Sequence, residues 1–138
     1  MGNTDPIYSK IGDIQWGPAK ATEGNIDVTG VATGATLVFT ADATSGGYVQ
    51  KIRFRSAGTN VATVARVFIN NGTDHTVASN NILYDEITLA ATTISQVSAL
   101  PTYELSLNFA LPAAYCIYVI LGTTVAAGYF ISVIGGKY

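Results

Sequence analysis

The stretch LPAAYCIYVILGTTVAAGYFISVIGG, Leu111 to Gly136, decides the fold. It is long enough to cross a bilayer as a helix, which takes about 20 apolar residues. Its internal chemistry argues for strands instead. Pro112, the Gly122-Thr123-Thr124 cluster and Gly128 interrupt it, and such residues punctuate local structure. No basic residue flanks its N-terminal side, where membrane anchors commonly carry one. Its apolar residues are largely β-branched or aromatic, types that fit a pleated, half-buried surface. The reading is two strands, 115–121 and 128–134, around a turn.

The rest of the chain follows the same grammar. No window repeats apolar residues at helical spacing with capping signals. Short β-rich runs alternate with Gly, Asn, Ser, Thr and Pro, and strands are expected over 13–18, 35–40, 47–55, 61–70, 82–89 and 102–109 besides the two above. In YELSLNFAL, Tyr103, Leu105, Leu107 and Phe109 alternate with Glu104, Ser106 and Asn108, the pattern of a sheet with one wet face. In YVQKIRF, Ile52 and Phe54 share one face, while Lys51, Arg53 and Arg55 form a basic stripe on the other. CIYVIL is apolar on both faces, so that strand is covered on both sides. Short strands at this spacing without helices predict an all-β fold: an eight-stranded, jelly-roll-like antiparallel β-sandwich over 13–138, with a closed up-and-down barrel as the alternative. Residues 1–12 read as an extended N-terminal arm. It is polar and carries Pro6, but Ile7, Tyr8 and Ile11 give it something to bury on a partner.

Composition narrows the function. At 138 residues the chain fits a single domain, and a chain of this size folds without disulfide or metal. Cys116 is the single cysteine, which excludes an internal disulfide. The N-terminal MGNTDPIYSK lacks the charge-then-apolar order of a signal peptide, and Pro6 stands where myristoylation wants Ser or Thr. A net charge of −2 gives no general attraction to nucleic acid or an anionic membrane. Charged residues are only 12% of the chain, against a usual figure of about 25%. So weakly charged a chain hides more than one face, and the second face of a small protein commonly meets another chain.

No motif carries catalysis. RVFINNGTDHTVASNN, Arg66 to Asn81, holds the only histidine, His75, beside Asp74. No serine or cysteine nearby has an activating context, and His75 with Asp74 falls short of a metal's ligand set. Asn71-Gly72 is a strong hairpin signal, since both residues accept positive φ. The His75 segment therefore reads as an exposed turn. The Asn71-Gly72-Thr73 sequon lacks a secretion signal to give it meaning. Asp85 and Glu86, adjacent on a strand, point to opposite faces. Cys116 reads as a small core or interface residue. No catalytic residue, metal or cofactor is expected.

What stands out instead is contact chemistry. Trp16, followed by Gly17 and Pro18, is either a core residue or an aromatic anchor facing a partner. With Ile117, Val119 and Leu121 assigned to the core, Tyr118 and Ile120 on the reverse face are assigned to a subunit interface.

The phrases YVQKIRFRSAGTNVATVARVFINNG, ILYDEITLAATT, LSLNFALPAAY and AGYFISVIGGKY resemble a group of short β-sandwich proteins of tailed bacteriophages, the capsid decoration or cement proteins. The likeness spans roughly 36–138 and lies in ordered strand-and-turn phrases, not in a catalytic signature. It implies a jelly roll made in the host cytoplasm that sits on the outer capsid surface of the virion, often as a homotrimer. The partner would be the major capsid protein, clamped across capsomers, with no nucleic acid and no membrane involved. On that reading Ile7, Tyr8 and Trp16 are the capsid contacts. A jelly-roll module of a head fibre or tail, binding a virion neighbour or a host-surface glycan, is the alternative. A small hydrolase is a distant third, given the contexts of His75 and Cys116.

Overall fold

The alternating apolar positions sort the chain into strands that pair only antiparallel. The structure, a computed structural model, describes residues 13–16, 21, 22, 24 and 34–138, with 13–16 as backbone only. The strands are β1 (Asp13–Trp16), β2 (Thr36–Thr40), β3 (Gly47–Ser56), β4 (Thr63–Asn70), β5 (Asn81–Leu89), β6 (Thr102–Leu111), β7 (Cys116–Leu121) and β8 (Tyr129–Lys137). A single 3-10 turn, Ala78–Asn80, is the helical element among the described residues. One sheet runs β1-β8-β3-β6 and the other β2-β7-β4-β5. The apolar stretch Leu111 to Gly136 supplies β7 to one sheet and most of β8 to the other. No described helix is long and apolar enough to cross a membrane.

The core lies between the sheets. Val49, Ile52 and Phe54 of β3, with Tyr129, Ile131 and Val133 of β8 beside them, face Ala65 and Val67 of β4 and Ile117, Val119 and Leu121 of β7, all buried. Each of the Val, Ile, Leu and Phe side chains among them contributes roughly 1.5–3 kcal/mol on burial. The basic stripe falls on the outer face of β3, as its alternation requires. β6 is an edge strand, so its inner residues Tyr103, Leu105 and Phe109 are only half-buried, while Leu107 is covered.

A second, smaller cluster lies on the reverse face of the β2-β7-β4-β5 sheet. Phe68 and Ile120 are buried there, with Ala35, Leu83 and Tyr118 packed against them. A bulge in β5 makes this possible. Val67 pairs with Asp85 and Phe68 with Leu83, leaving Tyr84 as the extra residue. The bulge re-aims the strand, so Leu83 meets Phe68 on the outside while Ile82 turns inward opposite Ile69.

The two ends of the sandwich are fastened differently. At one end, loops 57–62, 90–101 and 122–128 are tied by a buried polar knot. Asn60 donates through Nδ2 to Ser56 Oγ (2.9 Å) and to the Gly128 carbonyl (3.0 Å), and its Oδ1 accepts from the backbone N–H groups of Ala127 and Gly128 (both 2.9 Å). Thr92 Oγ1 donates to the Gly58 carbonyl (2.8 Å), and the Ser56 hydroxyl bonds both Gly58 and Thr92. Every buried polar side chain in the knot is thus satisfied by another loop. At the other end lie the 41–46 turn, loop 71–80 and the turn before β7.

Candidate functional site

Loop 71–80 does not turn as the Asn71-Gly72 signal predicts. Only Gly72 takes positive φ, at 90°. Asn70 and Asn81 close the ladder instead, and the whole segment 71–80 forms the connection. The asparagines build it. Asn70 Nδ2 donates to Asn81 Oδ1 (2.8 Å), Asn80 Nδ2 to the Asp74 carbonyl (2.9 Å) and Asn81 Nδ2 to the His75 carbonyl (2.7 Å). Asp74 Oδ1 accepts from the backbone N–H (2.9 Å) and hydroxyl (2.7 Å) of Thr76. These bonds to the charged form hold the Asp74 carboxyl below the usual aspartate value.

His75 is not a free turn residue. Its ring stacks on Tyr118, with centroids 4.5 Å apart and planes 17° apart. Burial, with the charges of Cys116 and Asp74 adding to it, pushes the Tyr118 hydroxyl above the ordinary tyrosine value. The loop therefore lies over the reverse face of β7. This corrects the interface assignment of Ile120, which is 1% exposed within the chain itself and has no area left for a neighbour. Tyr118 stays half-buried. Cys116 is buried, and its thiol donates to the Ala114 carbonyl at 3.4 Å. No group of three or more His, Cys, Asp or Glu that could hold a metal occurs among the described residues.

Two surfaces carry unspent chemistry. The first is the outer face of the β1-β8-β3-β6 sheet. Lys51 Nζ pairs with Glu104 at 3.1 Å, and Arg55 Nη1 donates to Thr102 Oγ1 at 2.8 Å. Arg53, opposite Glu104 on one side and Ser132 on the other, is exposed, and its guanidinium makes no hydrogen bond or ion pair among the described residues. Phe130, opposite Arg55, is 58% exposed. The stripe thus combines an apolar ring with a guanidinium that no described residue pairs.

The second is a cleft of about 280 Å³ at the loop 71–80 end. Ile69, Ile82 and Tyr115 give it apolar walls, and Asn71, Ser79, Asn80 and Asn81 give it polar ones. It exists because β4, β5 and the turn before β7 present core-side residues that the facing sheet does not fully cover: Ile69 and Tyr115 are half-buried and Ile82 is exposed. Sequence reasoning named none of these as site residues. Three separate segments contribute them, and only the asparagine density around Asn71 and Asn80 hinted at a polar surface.

Ile7 and Tyr8 lie outside the described residues, as does the side chain of Trp16, whose backbone pairs with Ser132 at the edge of the sheet that carries the stripe. Comparison with protein-family models, with curated proteins and with solved structures found no match to this chain.

Proposed function

We propose that this chain is a structural virion protein, a decoration or cement protein on the outer capsid surface of a tailed phage, with no catalytic activity. Its fold is read as an eight-stranded jelly roll. The order β1-β8-β3-β6 over β2-β7-β4-β5 supports this, because consecutive strands alternate between sheets through β1–β4 and again through β5–β8, as two nested Greek keys require. Capsid proteins are among the users of that architecture.

The observation that carries the functional reading is the outer sheet face, where exposed Phe130 stands opposite Arg55 and next to Arg53, whose guanidinium pairs with no described residue. Aromatic and arginine side chains are the preferred anchors of protein interfaces. On this reading the face meets the major capsid protein, assisted by Ile7, Tyr8 and Trp16, and copies assemble as homotrimers. Binding assembled shell better than loose subunits shifts the equilibrium toward intact shell, and many copies make modest single contacts sufficient.

The test is reconstruction of particles with and without the protein. Density is expected on the outer shell, and Phe130→Ala with Arg53→Glu should lower its occupancy while the isolated protein stays folded. Absence from the head, or full occupancy by the doubly substituted protein, counts against the proposal. Sedimentation of the purified chain as a monomer at high concentration counts against the trimer.

A further inference from the structure

We propose that the cleft between loop 71–80 and Tyr115 binds a neutral saccharide. The walls supply the two kinds of contact a sugar ring needs. Ile69, Ile82 and the Tyr115 ring offer apolar area for its C–H faces. The polar wall offers donors and acceptors with capacity to spare. An asparagine amide has two N–H donors. Asn71 Nδ2 uses one, on Asn80 Oδ1 at 3.4 Å, and Asn80 Nδ2 uses one, on the Asp74 carbonyl at 2.9 Å. One N–H remains on each. The hydroxyls of Ser79 and Tyr115 make no hydrogen bond within the described residues, so both can donate and accept. Planar amides and hydroxyls beside an aromatic ring match a ligand that carries many hydroxyl groups on an apolar frame.

Charge selects the class. Among the described residues no Lys, Arg, Asp, Glu or His lines the cleft, so none of them offsets the desolvation of an acidic sugar, a phosphate or a cationic amine. Size points the same way. At about 280 Å³ the cleft falls just below the range of roughly 300–1,000 Å³ usual for drug-sized ligands, which suits a sugar ring or the end of a glycan chain. The polar wall is also pre-formed. Asn71 and Asn80 are held by the same hydrogen bonds that fold the loop, so little ordering is lost on binding. The competing occupant is a peptide strand added to edge strand β5, which would engage the backbone along β5 and leave Ser79 and Tyr115 idle.

The experiment is an amide NMR titration of the whole chain with glucose, galactose, mannose and N-acetylglucosamine, and with sialic acid as the acidic control. Saturable shifts confined to residues 69–82 and 112–116 are expected with at least one neutral sugar, with a Kd of order 1 mM. Tyr115→Phe keeps the ring and its packing, and Ser79→Ala alters an exposed side chain, so both should stay folded. Each should weaken binding about three- to tenfold, the effect of one lost hydrogen bond. The proposal is overturned by no shift with any neutral sugar at concentrations up to about a hundred times that Kd, by shifts elsewhere, by tighter binding of sialic acid, or by affinity unchanged in both variants. Failure here leaves the capsid-face reading untouched, since Phe130 and Arg53 take no part in the cleft.

Discussion

The His75 ring lies nearly parallel to that of Tyr118 at 4.5 Å, and this one contact fastens loop 71–80 to the back of β7. Aromatic pairs contribute about 0.5–1.5 kcal/mol beyond their buried area. His75→Ala should therefore destabilise the protein by about that amount, and His75→Phe should restore most of it. The urea midpoint measures both. An unchanged midpoint for His75→Ala would mean that the backbone and asparagine bonds hold the loop unaided.

Asn60 is the hub of the opposite end. Asn60→Ala would strand the N–H groups of Ala127 and Gly128 and loosen Ser56 at once. Each buried polar group left unsatisfied costs about 1–3 kcal/mol, so a loss of at least about 2 kcal/mol is expected from denaturant unfolding. Asn60→Asp keeps the two accepted bonds but turns a carboxylate toward the Gly128 carbonyl, and should also destabilise. A loss for Asn60→Ala no larger than an ordinary surface change would remove the knot from the list of what holds the loops.

These two contacts show where sequence reading stops. Alternation placed each strand, because side-chain direction is local: Leu107 is inside, and Glu104, Ser106 and Asn108 are outside, as the period of two demands. The same rule put Ile117, Val119 and Leu121 in the core and read β7 as covered on both faces. It could not say by what. Ile120 is covered inside its own chain, in a cluster with Phe68 and Leu83, and the bulge at Tyr84 that turns Leu83 outward has no signature in ILYDEITL. Asn71-Gly72 spoke for a tight hairpin, but the competing bonds of Asn70, Asn80 and Asn81 close a wider loop. The cleft escaped notice because its residues meet only after β4, β5 and β7 have paired.

Gly46 joins two constraints at the other turn of that end. Its φ is +80°, and a Cβ would press into the Leu111 carbonyl. Its own N–H and C=O pair with Asp42, both at 3.1 Å. Gly46→Ala should cost more than about 2 kcal/mol, while Ser45→Ala beside it, on an exposed side chain, should stay within about 0.5 kcal/mol. Thermal unfolding of the two variants makes the comparison; equal Tm values would contradict the steric account.

Asp74 sets a pH response for its loop. Its folded carboxyl titrates below the unfolded value because Thr76 bonds the charged form. A depressed carboxyl contributes its stabilisation above the unfolded pKa of about 3.9, and loses it as pH falls through the lower folded value. The side-chain carbonyl of Asp74, followed by NMR, should therefore titrate below an ordinary aspartate, and Thr76→Ala should move the midpoint upward, since only its hydroxyl bond is removed. A midpoint at or above the ordinary value in the unsubstituted protein would show that Thr76 does not hold the carboxylate.

The position of β8 has a consequence for how the chain is made. It is the last of the described strands, yet it sits inside its sheet, bonded to β1 along one edge and β3 along the other. Synthesis reaches β1 long before β8, so β1 waits for β8 before it can pair. Until then β3 is paired on its β6 side alone, and Ile131 and Val133 are missing from beside Phe54 and Ile52. Such distant pairings fold slowly, and unpaired strands are prone to aggregate meanwhile. The newborn chain must stay soluble from the emergence of β1 to that of β8, and a chain cut just short of Tyr129 is left with a sheet without its middle.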